Sequence, residues 1–156
     1  MGEEIRTSSL GKTVLELEPG EKHLRDIRSD RATYLRDHAV MAVLGMGIVG
    51  MVLAFIGSDH VLIGSVGAVL ALIVRGLWLY SEQMKFQWVL TNQRLVGPGG
   101  RQAYLLELDK ARRLFGDIQL VTNGGDKHLI KHVANAEAVV AEIEAARAKR
   151  ARRKGA

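Results

Sequence analysis

Two long apolar runs dominate the pattern of hydrophobic and polar positions along the chain. Residues 39–58 carry no ionisable side chain, and residues 61–80 are interrupted only by Arg75. About twenty apolar residues form a helix long enough to cross the hydrocarbon core of a bilayer, at about 1.5 Å per residue. A hairpin buried in a soluble core is the alternative, but it would need a large protein body around it. The pattern therefore predicts a transmembrane helical hairpin over residues 38–81.

The distribution of Lys and Arg predicts the orientation of this hairpin. The short connection contains Asp59 and His60 but no Lys or Arg. Basic residues close to the ends of membrane helices favour the cytoplasmic side. They flank both runs here: Lys22, Arg25, Arg28, Arg31 and Arg36 before the first, and Lys85, Arg94 and Arg101 after the second. We expect a multi-pass protein of the bacterial cytoplasmic (inner) membrane with both termini in the cytoplasm.

The second run also contains residues typical of a membrane interface. Arg75 lies about five residues from its cytoplasmic end, close to Trp78 and Tyr80, which we interpret as interfacial anchors. A long cationic side chain at that depth can reach the head groups, and Asp37 is a candidate partner. The alternative, an ion or proton pathway, would require further charges inside the membrane.

Small residues recur at four-residue spacing in both runs, which lets helix backbones approach closely in lipid. Such faces can pack the two helices of one chain together, or they can support self-association or contact with a membrane protein partner. The residues concerned are Gly50 with Ala54, Gly64 with Ala68, and Gly67 with Ala71.

Shorter alternating segments follow the second run and predict an antiparallel sheet. Phe86–Val96 favours a strand, residues 97–100 a turn, and Arg101–Leu108 the returning strand. Asp117–Thr122 and Lys127–Val133 predict a second hairpin around an Asn-Gly-Gly turn. Upstream, two segments could add strands to the same sheet: Thr13–Leu17 and Lys22–Ile27.

A C-terminal helix completes the expected fold. Asn135 is a typical N-cap, and one face of the segment from Ala136 to about Arg153 is apolar. That face consists of Ala136, Val139, Val140 and Ile143. We therefore predict an α+β membrane protein with four segments: residues 1–37 as a cytoplasmic N-terminal segment, 38–81 as the transmembrane hairpin, 82–146 as a small antiparallel sheet closed by the C-terminal helix, and 147–156 as a polybasic tail.

Two short motifs resemble the bacterial pleckstrin-homology-like (PH-like) family of small membrane proteins. The first is Pro19-Gly20-Glu21, and the second is a Leu-Thr-x-x-Arg-Leu element over residues 90–95. The order of elements over roughly residues 14–145 is similar as well. The resemblance implies a PH-like sheet and a membrane location, and it implies no known substrate. The chain is short between Leu108 and Asp117, where the family supplies further strand, so we expect fewer than the family's seven strands.

No pattern of residues predicts catalysis or a cofactor. The chain has no cysteine, which excludes disulfides and thiolate metal sites. His128 and His132 have a metal-ligand spacing on a helix, but on a strand they would lie about 13 Å apart. The glycines at 97–100 lack the Lys-Ser or Lys-Thr of a phosphate-binding loop. We expect neither an enzyme, a cofactor nor a bound metal.

The basic residues suggest the partners of the cytoplasmic part. The net charge is +5, and six of the eight residues at 147–154 are basic. Each Lys or Arg near an anionic leaflet contributes about 1 kcal/mol, so we predict that the tail lies along the inner leaflet and binds anionic phospholipid. Nucleic acid is the less favoured partner, because the tail has no aromatic residues to stack on bases. The candidate contacts are Arg94, Arg112, Arg113, Arg147, Lys149, Arg150, Arg152, Arg153 and Lys154.

Two hypotheses for function follow. The first is a non-enzymatic membrane-anchored adaptor whose PH-like domain and basic tail bind the inner leaflet, a protein partner, or both. The second is an accessory subunit of a larger inner-membrane complex, assembled through the glycine-rich helices. The first places the functional surface on the cytoplasmic domain, whereas the second places it at Gly50, Gly64 and Gly67.

Overall fold

The computed structural model describes residues 16–155, which form three helices and two antiparallel sheets. The sheets have the strand orders β1-β2-β3-β4 and β5-β6-β7. The α+β class and the apolar helical hairpin are therefore confirmed. In chain order the elements are β1 (His23–Arg28), α1 (Arg31–Phe55), α2 (Val61–Gln83), β2 (Gln87–Thr91), β3 (Arg94–Val96), β4 (Gln102–Tyr104), β5 (Leu108–Leu114), β6 (Asp117–Thr122), β7 (Lys127–Ile130) and α3 (Ala136–Lys154).

The helices α1 and α2 are long and apolar enough to cross a membrane, and they form the predicted hairpin. The most apolar 18-residue window is 0% buried in α1 and 11% buried in α2. Their large side chains face outward, with Phe55 93% and Trp78 81% exposed. They are therefore unlike the core helices of a soluble protein, which are mostly buried.

The helical hairpin is inserted between two neighbouring strands. Strands β1 and β2 pair antiparallel, with Arg28 opposite Gln87 and His23 opposite Thr91. The chain leaves β1 after Arg28, passes through α1 and α2, and returns to the neighbouring strand at Gln87. The helical hairpin thus takes the place of a β-turn. We call the two sheets together with α3 the strand domain. Its end at Arg28 and Gln87, where the helical hairpin is attached, is the hairpin end, and the opposite end is the distal end.

The strand boundaries differ from the sequence prediction around Thr91. The segment predicted as one strand, Phe86–Val96, is split into β2 and β3 by a turn. The Thr91 hydroxyl oxygen accepts hydrogen bonds from the backbone N–H groups of Gln93 and Arg94, at 3.1 and 3.0 Å, and so stabilises this turn. The predicted returning strand is only the three residues of β4.

Strand β5 contradicts the expectation that the chain is short of strand between Leu108 and Asp117. Only two of its residues, Leu108 and Ala111, are buried, and the pairing with β6 shifts between Leu108 and Lys110. A bulge of this kind places the buried positions three apart, which breaks the two-residue alternation that identifies a strand in a sequence.

The other predicted elements are confirmed with small shifts. The hairpin of β6 and β7 is present, and the segment from Lys22 to Ile27 corresponds to β1. The Asn135 side chain caps α3 by accepting a hydrogen bond from the N–H of Ala138 at 3.2 Å. The predicted strand Thr13–Leu17 begins outside the described residues, and Glu16 and Leu17 have no strand structure.

The core lies between the two sheets and α3. The predicted face of α3 contributes to it, with Ile143 fully buried and Val140 partly buried against the cluster. Helix α3 begins just after β7 at the hairpin end, and Arg150, near its other end, donates to Gln93 in the β2–β3 turn at 3.0 Å. Helix α3 therefore runs from the hairpin end to the distal end. The fully buried core residues are Leu95, Leu105, Leu108, Ile118, Leu120 and Ile143.

Candidate functional site

A buried ionic cluster at the distal end joins the segment before β1 to β2 and β3. The Glu21 side chain is 0% exposed and the Arg94 side chain 12% exposed. Arg94 Nε lies 3.2 Å from Glu21 Oε1 and Arg94 Nη2 lies 3.2 Å from Glu21 Oε2, so the pair is bidentate. Thr91 Oγ1 donates to Oε1 at 2.6 Å, and the Glu18 N–H donates to Oε2 at 2.7 Å. Both oxygens of the buried carboxylate are thus satisfied.

Arg94 has further partners at the edge of the cluster. Its Nη1 lies 2.9 Å from Glu18 Oε1 and 2.9 Å from Gln102 Oε1, and its Nη2 donates to the Glu16 carbonyl at 2.8 Å. Burial lowers the pKa of this guanidinium, but the hydrogen bond and charge of Glu21 and the charge of Glu18 outweigh burial and raise the pKa above its ordinary value. The donors of Arg94, a predicted head-group contact, are therefore engaged within the protein.

The same cluster accounts for both motifs of the family resemblance. Gly20 adopts φ 76° in the turn that brings the Glu21 N–H to the Glu18 carbonyl at 2.8 Å. Leu90 and Leu95, the first and last residues of the other motif, are 1% and 0% exposed. One motif supplies the carboxylate and the other the guanidinium. In the sequence the two motifs are separate, and only the fold brings them into one structural contact.

At the hairpin end, His132 is the centre of the contacts between the strand domain and α1. Its ring Nδ1 lies 3.0 Å from Asp37 Oδ2, and its backbone N–H donates to Asp117 Oδ1 at 2.8 Å. Its carbonyl accepts from the Asp30 N–H at 2.7 Å, and its ring lies edge-on to Tyr34 with centroids 4.9 Å apart. His132 has φ 54°, a left-handed conformation that costs roughly 1–3 kcal/mol for a residue other than glycine. The contacts with Asp37, Asp117 and Tyr34 hold His132 in this conformation.

Tyr34 continues this junction into α2. Its side chain is buried, and its Oη donates to the Gly76 carbonyl at 2.7 Å. The rings of His38 and Tyr80 pack against the Tyr34 ring, with centroids 4.0 and 5.5 Å away. Tyr80, predicted to be an interfacial anchor, is therefore half-buried between the helices. We call Tyr34, Asp37, His38, Asp117 and His132 the junction.

The junction also changes the predicted partner of Asp37. Its carboxylate lies 3.2 Å from Arg36 Nη2 and 3.0 Å from the His132 ring nitrogen. Arg75, which the sequence suggested as the partner, is exposed and has no ion pair within residues 16–155. The predicted pair of Asp37 with Arg75 is therefore wrong, because His132 occupies that carboxylate.

Three junction residues could offer ligands to a metal ion. One atom from each of Asp37, Asp117 and His132 lies within 4.8 Å of the others. The hydrogen bonds of Asp37 to the His132 ring and of Asp117 to the His132 backbone N–H are sufficient to explain why these atoms lie close together, and we assign no metal to the group. His128, the other histidine of the predicted spacing, lies instead against the Trp88 ring, with centroids 6.0 Å apart.

The turn between β5 and β6 also lies against α1. A Cβ added at Gly116 would sit 3.1 Å from Asp37 Oδ2, 3.2 Å from Thr33 Cγ2 and 3.3 Å from Arg36 Nη2. The preceding Phe115 is 88% exposed. We call Leu114, Phe115 and Gly116 the β5–β6 tip.

Phe115 occupies an unfavourable backbone conformation for its size. Leu114 pairs with Asp117, so Phe115 and Gly116 form a two-residue turn, and Phe115 has φ 57°. Turns of this length favour glycine, asparagine or aspartate at positions with positive φ, and a bulky residue there is an outlier. The strain is roughly 1–3 kcal/mol and no buried contact of the ring offsets it. Stability alone therefore does not explain this residue.

Two of the predicted lipid-binding arginines flank the β5–β6 tip. Arg112 and Arg113 are both exposed on β5. Arg112 Nε donates to Gln119 Oε1 at 2.8 Å, and Arg113 Nε donates to the Phe115 carbonyl at 2.8 Å. Each arginine therefore donates its Nε hydrogen bond within the β5–β6 hairpin, and neither has an ion pair within residues 16–155.

The predicted small-residue faces have two different positions. A Cβ at Gly50 would lie 2.8 Å from Ser65 Oγ, and a Cβ at Gly64 would collide with Leu53, so both glycines pack α1 against α2. A Cβ at Gly67 would meet nothing within 4 Å. Of the other predicted residues, Ala54 and Ala71 are exposed and Ala68 is half-buried. Ala71 also lines a shallow groove on the outward face of α2, together with Leu70, Val74, Arg75, Trp78 and Leu79.

The predicted basic tail is the end of α3, at the distal end of the domain. Arg147 pairs with Glu144 at 3.2 Å, and Arg150 contacts Gln93. The remaining basic residues of the tail are exposed: Lys149, Arg152, Arg153 and Lys154. They lie far from Arg112 and Arg113, so the structure separates the predicted lipid-binding residues into two groups.

Comparisons of the chain with models of known protein families, with curated proteins and with solved structures give no match. The geometry of the junction, the β5–β6 tip and the basic distal end therefore carries the functional argument.

Proposed function

We propose that the protein is a non-enzymatic adaptor of the bacterial cytoplasmic membrane. Helices α1 and α2 cross the bilayer, both ends of the chain lie in the cytoplasm, and the strand domain is fixed at the inner leaflet. The basic distal end then faces the cytoplasm and binds an acidic protein partner.

The observation that carries the proposal is the contrast between the two parts of α1. Its apolar window is 0% buried, which suits a helix surrounded by lipid. One face of its first two turns is instead covered by the junction and by Gly116, with Thr33 and Tyr34 buried. A domain clamped in this way cannot swing freely on its anchor. Its hairpin end therefore stays at the membrane surface and its distal end stays about one helix length away.

The PH-like assignment is part of the proposal and has support in the element order. Seven strands in two antiparallel sheets precede one C-terminal helix. Strand β5 supplies the strand between Leu108 and Asp117 that was not expected from the sequence. In this interpretation the helical hairpin occupies the turn between the first two strands of a PH-like domain.

The direction of α3 supports the proposal of different partners for the two groups of basic residues. At about 1.5 Å per residue, its 19 residues span about 28 Å from the hairpin end. The exposed basic residues at its end, among them Arg152 and Arg153, are then beyond the Debye length of about 8–10 Å from the anionic surface. Arg112 and Arg113 are the group placed to attract anionic lipid.

The test compares two charge-reversal variants after gentle detergent extraction and native mass analysis. The adaptor interpretation expects Arg152→Glu with Arg153→Glu to release a co-purifying acidic protein. The matched variant, Arg112→Glu with Arg113→Glu, makes the same change in net charge and should retain that protein but carry less anionic lipid. Equal effects of the two variants on both protein and lipid would contradict the proposal.

The alternative function, an accessory subunit of a larger membrane complex, has support from the outward face of α2. Gly67 has open space at its Cβ position, and the adjacent groove is lined by Ala71, Arg75 and Trp78. In this case Gly67→Leu dissociates a membrane protein partner, while the Arg152 and Arg153 variant leaves the complex intact.

A further inference from the structure

We propose that Phe115 inserts into the boundary between head groups and acyl chains of the leaflet that α1 enters, with Leu114 beside it. The β5–β6 tip is then a second membrane contact that holds the strand domain in one orientation. This inference rests on the proposed membrane anchoring of α1 and α2, and it assigns the lipid contact to a specific surface.

The contacts of Gly116 place the β5–β6 tip at the correct depth. Gly116 lies against Thr33, Arg36 and Asp37, and the uncharged run of α1 begins at residue 39. The two positions from Asp37 to residue 39 correspond to about 3 Å along the axis of α1. The head-group regions add about 5–7 Å to each side of the hydrocarbon core. The β5–β6 tip therefore lies level with the head groups, within reach of the upper acyl chains.

The side chains at the β5–β6 tip have the composition of an interfacial contact. Phe115 is 88% and Leu114 39% exposed, so apolar surface is available to lipid. The guanidinium groups of Arg36, Arg112 and Arg113 surround it and complement an anionic surface. The nearest carboxylates, Asp37 and Asp117, are hydrogen-bonded to His132, and Asp37 also pairs with Arg36 at 3.2 Å. Three guanidinium groups against two carboxylates leave one excess positive charge beside the tip.

The backbone of Phe115 gives independent support. Its φ of 57° suits glycine or asparagine, and its exposed ring gains nothing from the protein. Strained residues of this kind occur where the surroundings compensate, typically at functional sites. Burial of the ring in the bilayer interface supplies that compensation, which water around an isolated domain cannot.

The experiment uses the absence of cysteine from the chain. Three single-cysteine variants of the 156-residue chain, Leu114→Cys, Val66→Cys and Asn123→Cys, are labelled with an environment-sensitive fluorophore. The protein is reconstituted in phosphatidylglycerol and phosphatidylcholine vesicles that contain doxyl-labelled lipid. We expect quenching at position 66 in α2 and at position 114, and none at position 123 in the distal β6–β7 turn.

A second change tests Phe115 itself. Phe115→Asn removes the ring but tolerates positive φ, so the protein should remain folded, with a melting temperature no lower than that of the parent. Full burial of a phenylalanine shifts an equilibrium by about tenfold or more, so quenching at position 114 should fall at least severalfold. The matched control Leu24→Asn, at an exposed apolar residue of β1, should leave the quenching at position 114 unchanged.

Three outcomes would overturn the inference. Quenching at position 66 without quenching at 114 leaves the anchoring intact and removes the contact by the β5–β6 tip. A blue-shifted but unquenched probe at 114 means that a second copy or another protein covers the tip. The absence of quenching at position 66 would refute the proposed anchoring, and this inference with it.

Discussion

The ionic cluster at the distal end gives the sharpest test of the structure. Glu21→Gln keeps the shape of the side chain and removes its charge. The buried Arg94 guanidinium then loses a bidentate ionic partner at 3.2 Å, and the short Thr91 bond of 2.6 Å loses its charged acceptor. Removal of one partner of a buried ion pair costs about 3–5 kcal/mol. Because Arg94 retains Glu18 at 2.9 Å, we expect the lower end of this range, about 3 kcal/mol.

Thermal unfolding of the full-length protein in mild detergent, followed by circular dichroism, measures this loss. For a domain of about 60–100 residues, 1 kcal/mol corresponds to about 4–8 °C, so the melting temperature should fall by about 12–24 °C. Tyr104→Phe is the matched control. It removes one hydrogen bond, of 2.9 Å to the partly exposed Glu18, and should cost less than about 1 kcal/mol.

A double replacement separates the pair from its burial. Glu21→Leu with Arg94→Met removes both charges together and should be less destabilising than Arg94→Met alone, because no unpaired buried carboxylate remains. A loss below about 1 kcal/mol for Glu21→Gln would refute the reasoning. So would an Arg94→Gln protein of unchanged stability that binds anionic vesicles more weakly, since Arg94 would then be the head-group ligand that the sequence suggested.

Three further predictions concern the helices and their attachment. Gly64→Leu should destabilise the α1–α2 hairpin and raise protease sensitivity in detergent, whereas Gly67→Leu should leave the melting temperature of the monomer unchanged; equal effects would contradict the packing. Replacement of residues 29–86 by Asn-Gly should give a water-soluble, folded domain, because the flanking strands already pair as neighbours; an aggregated product with no sheet signal would count against the topology. Asp30→Ala should cost about 1 kcal/mol, since its carboxylate caps α1 through the Thr33 N–H at 2.8 Å. That hydrogen bond lowers the pKa of Asp30 below its ordinary value of 3.8, so its contribution should be present above pH 3.8 and disappear as the pH falls through the lower folded pKa; a variant difference that stays constant as the pH is lowered would argue against the cap.

The sequence by itself determined the elements whose signals are local. An uncharged run of twenty residues, an Asn-Gly-Gly turn and the Asn135 cap each depend on neighbours in the chain, and they predicted the helical hairpin, the β6–β7 hairpin and α3. The two motifs that supported the family resemblance are also local. Their physical reason is not, because Glu21 and Arg94 are 73 positions apart and meet only after the strands pair.

Only the tertiary structure decided where the candidate functional residues lie. A bulge hid β5 from any search for alternating residues, and with it the position of Phe115 and the two arginines beside it. The basic tail has the same composition whether α3 runs along the membrane or away from it. Its direction depends on packing against β5 and on the contact of Arg150 with Gln93, which join residues distant in sequence. Composition therefore indicated two apolar spans and basic surfaces, and the fold determined where each basic surface lies relative to the apolar helices.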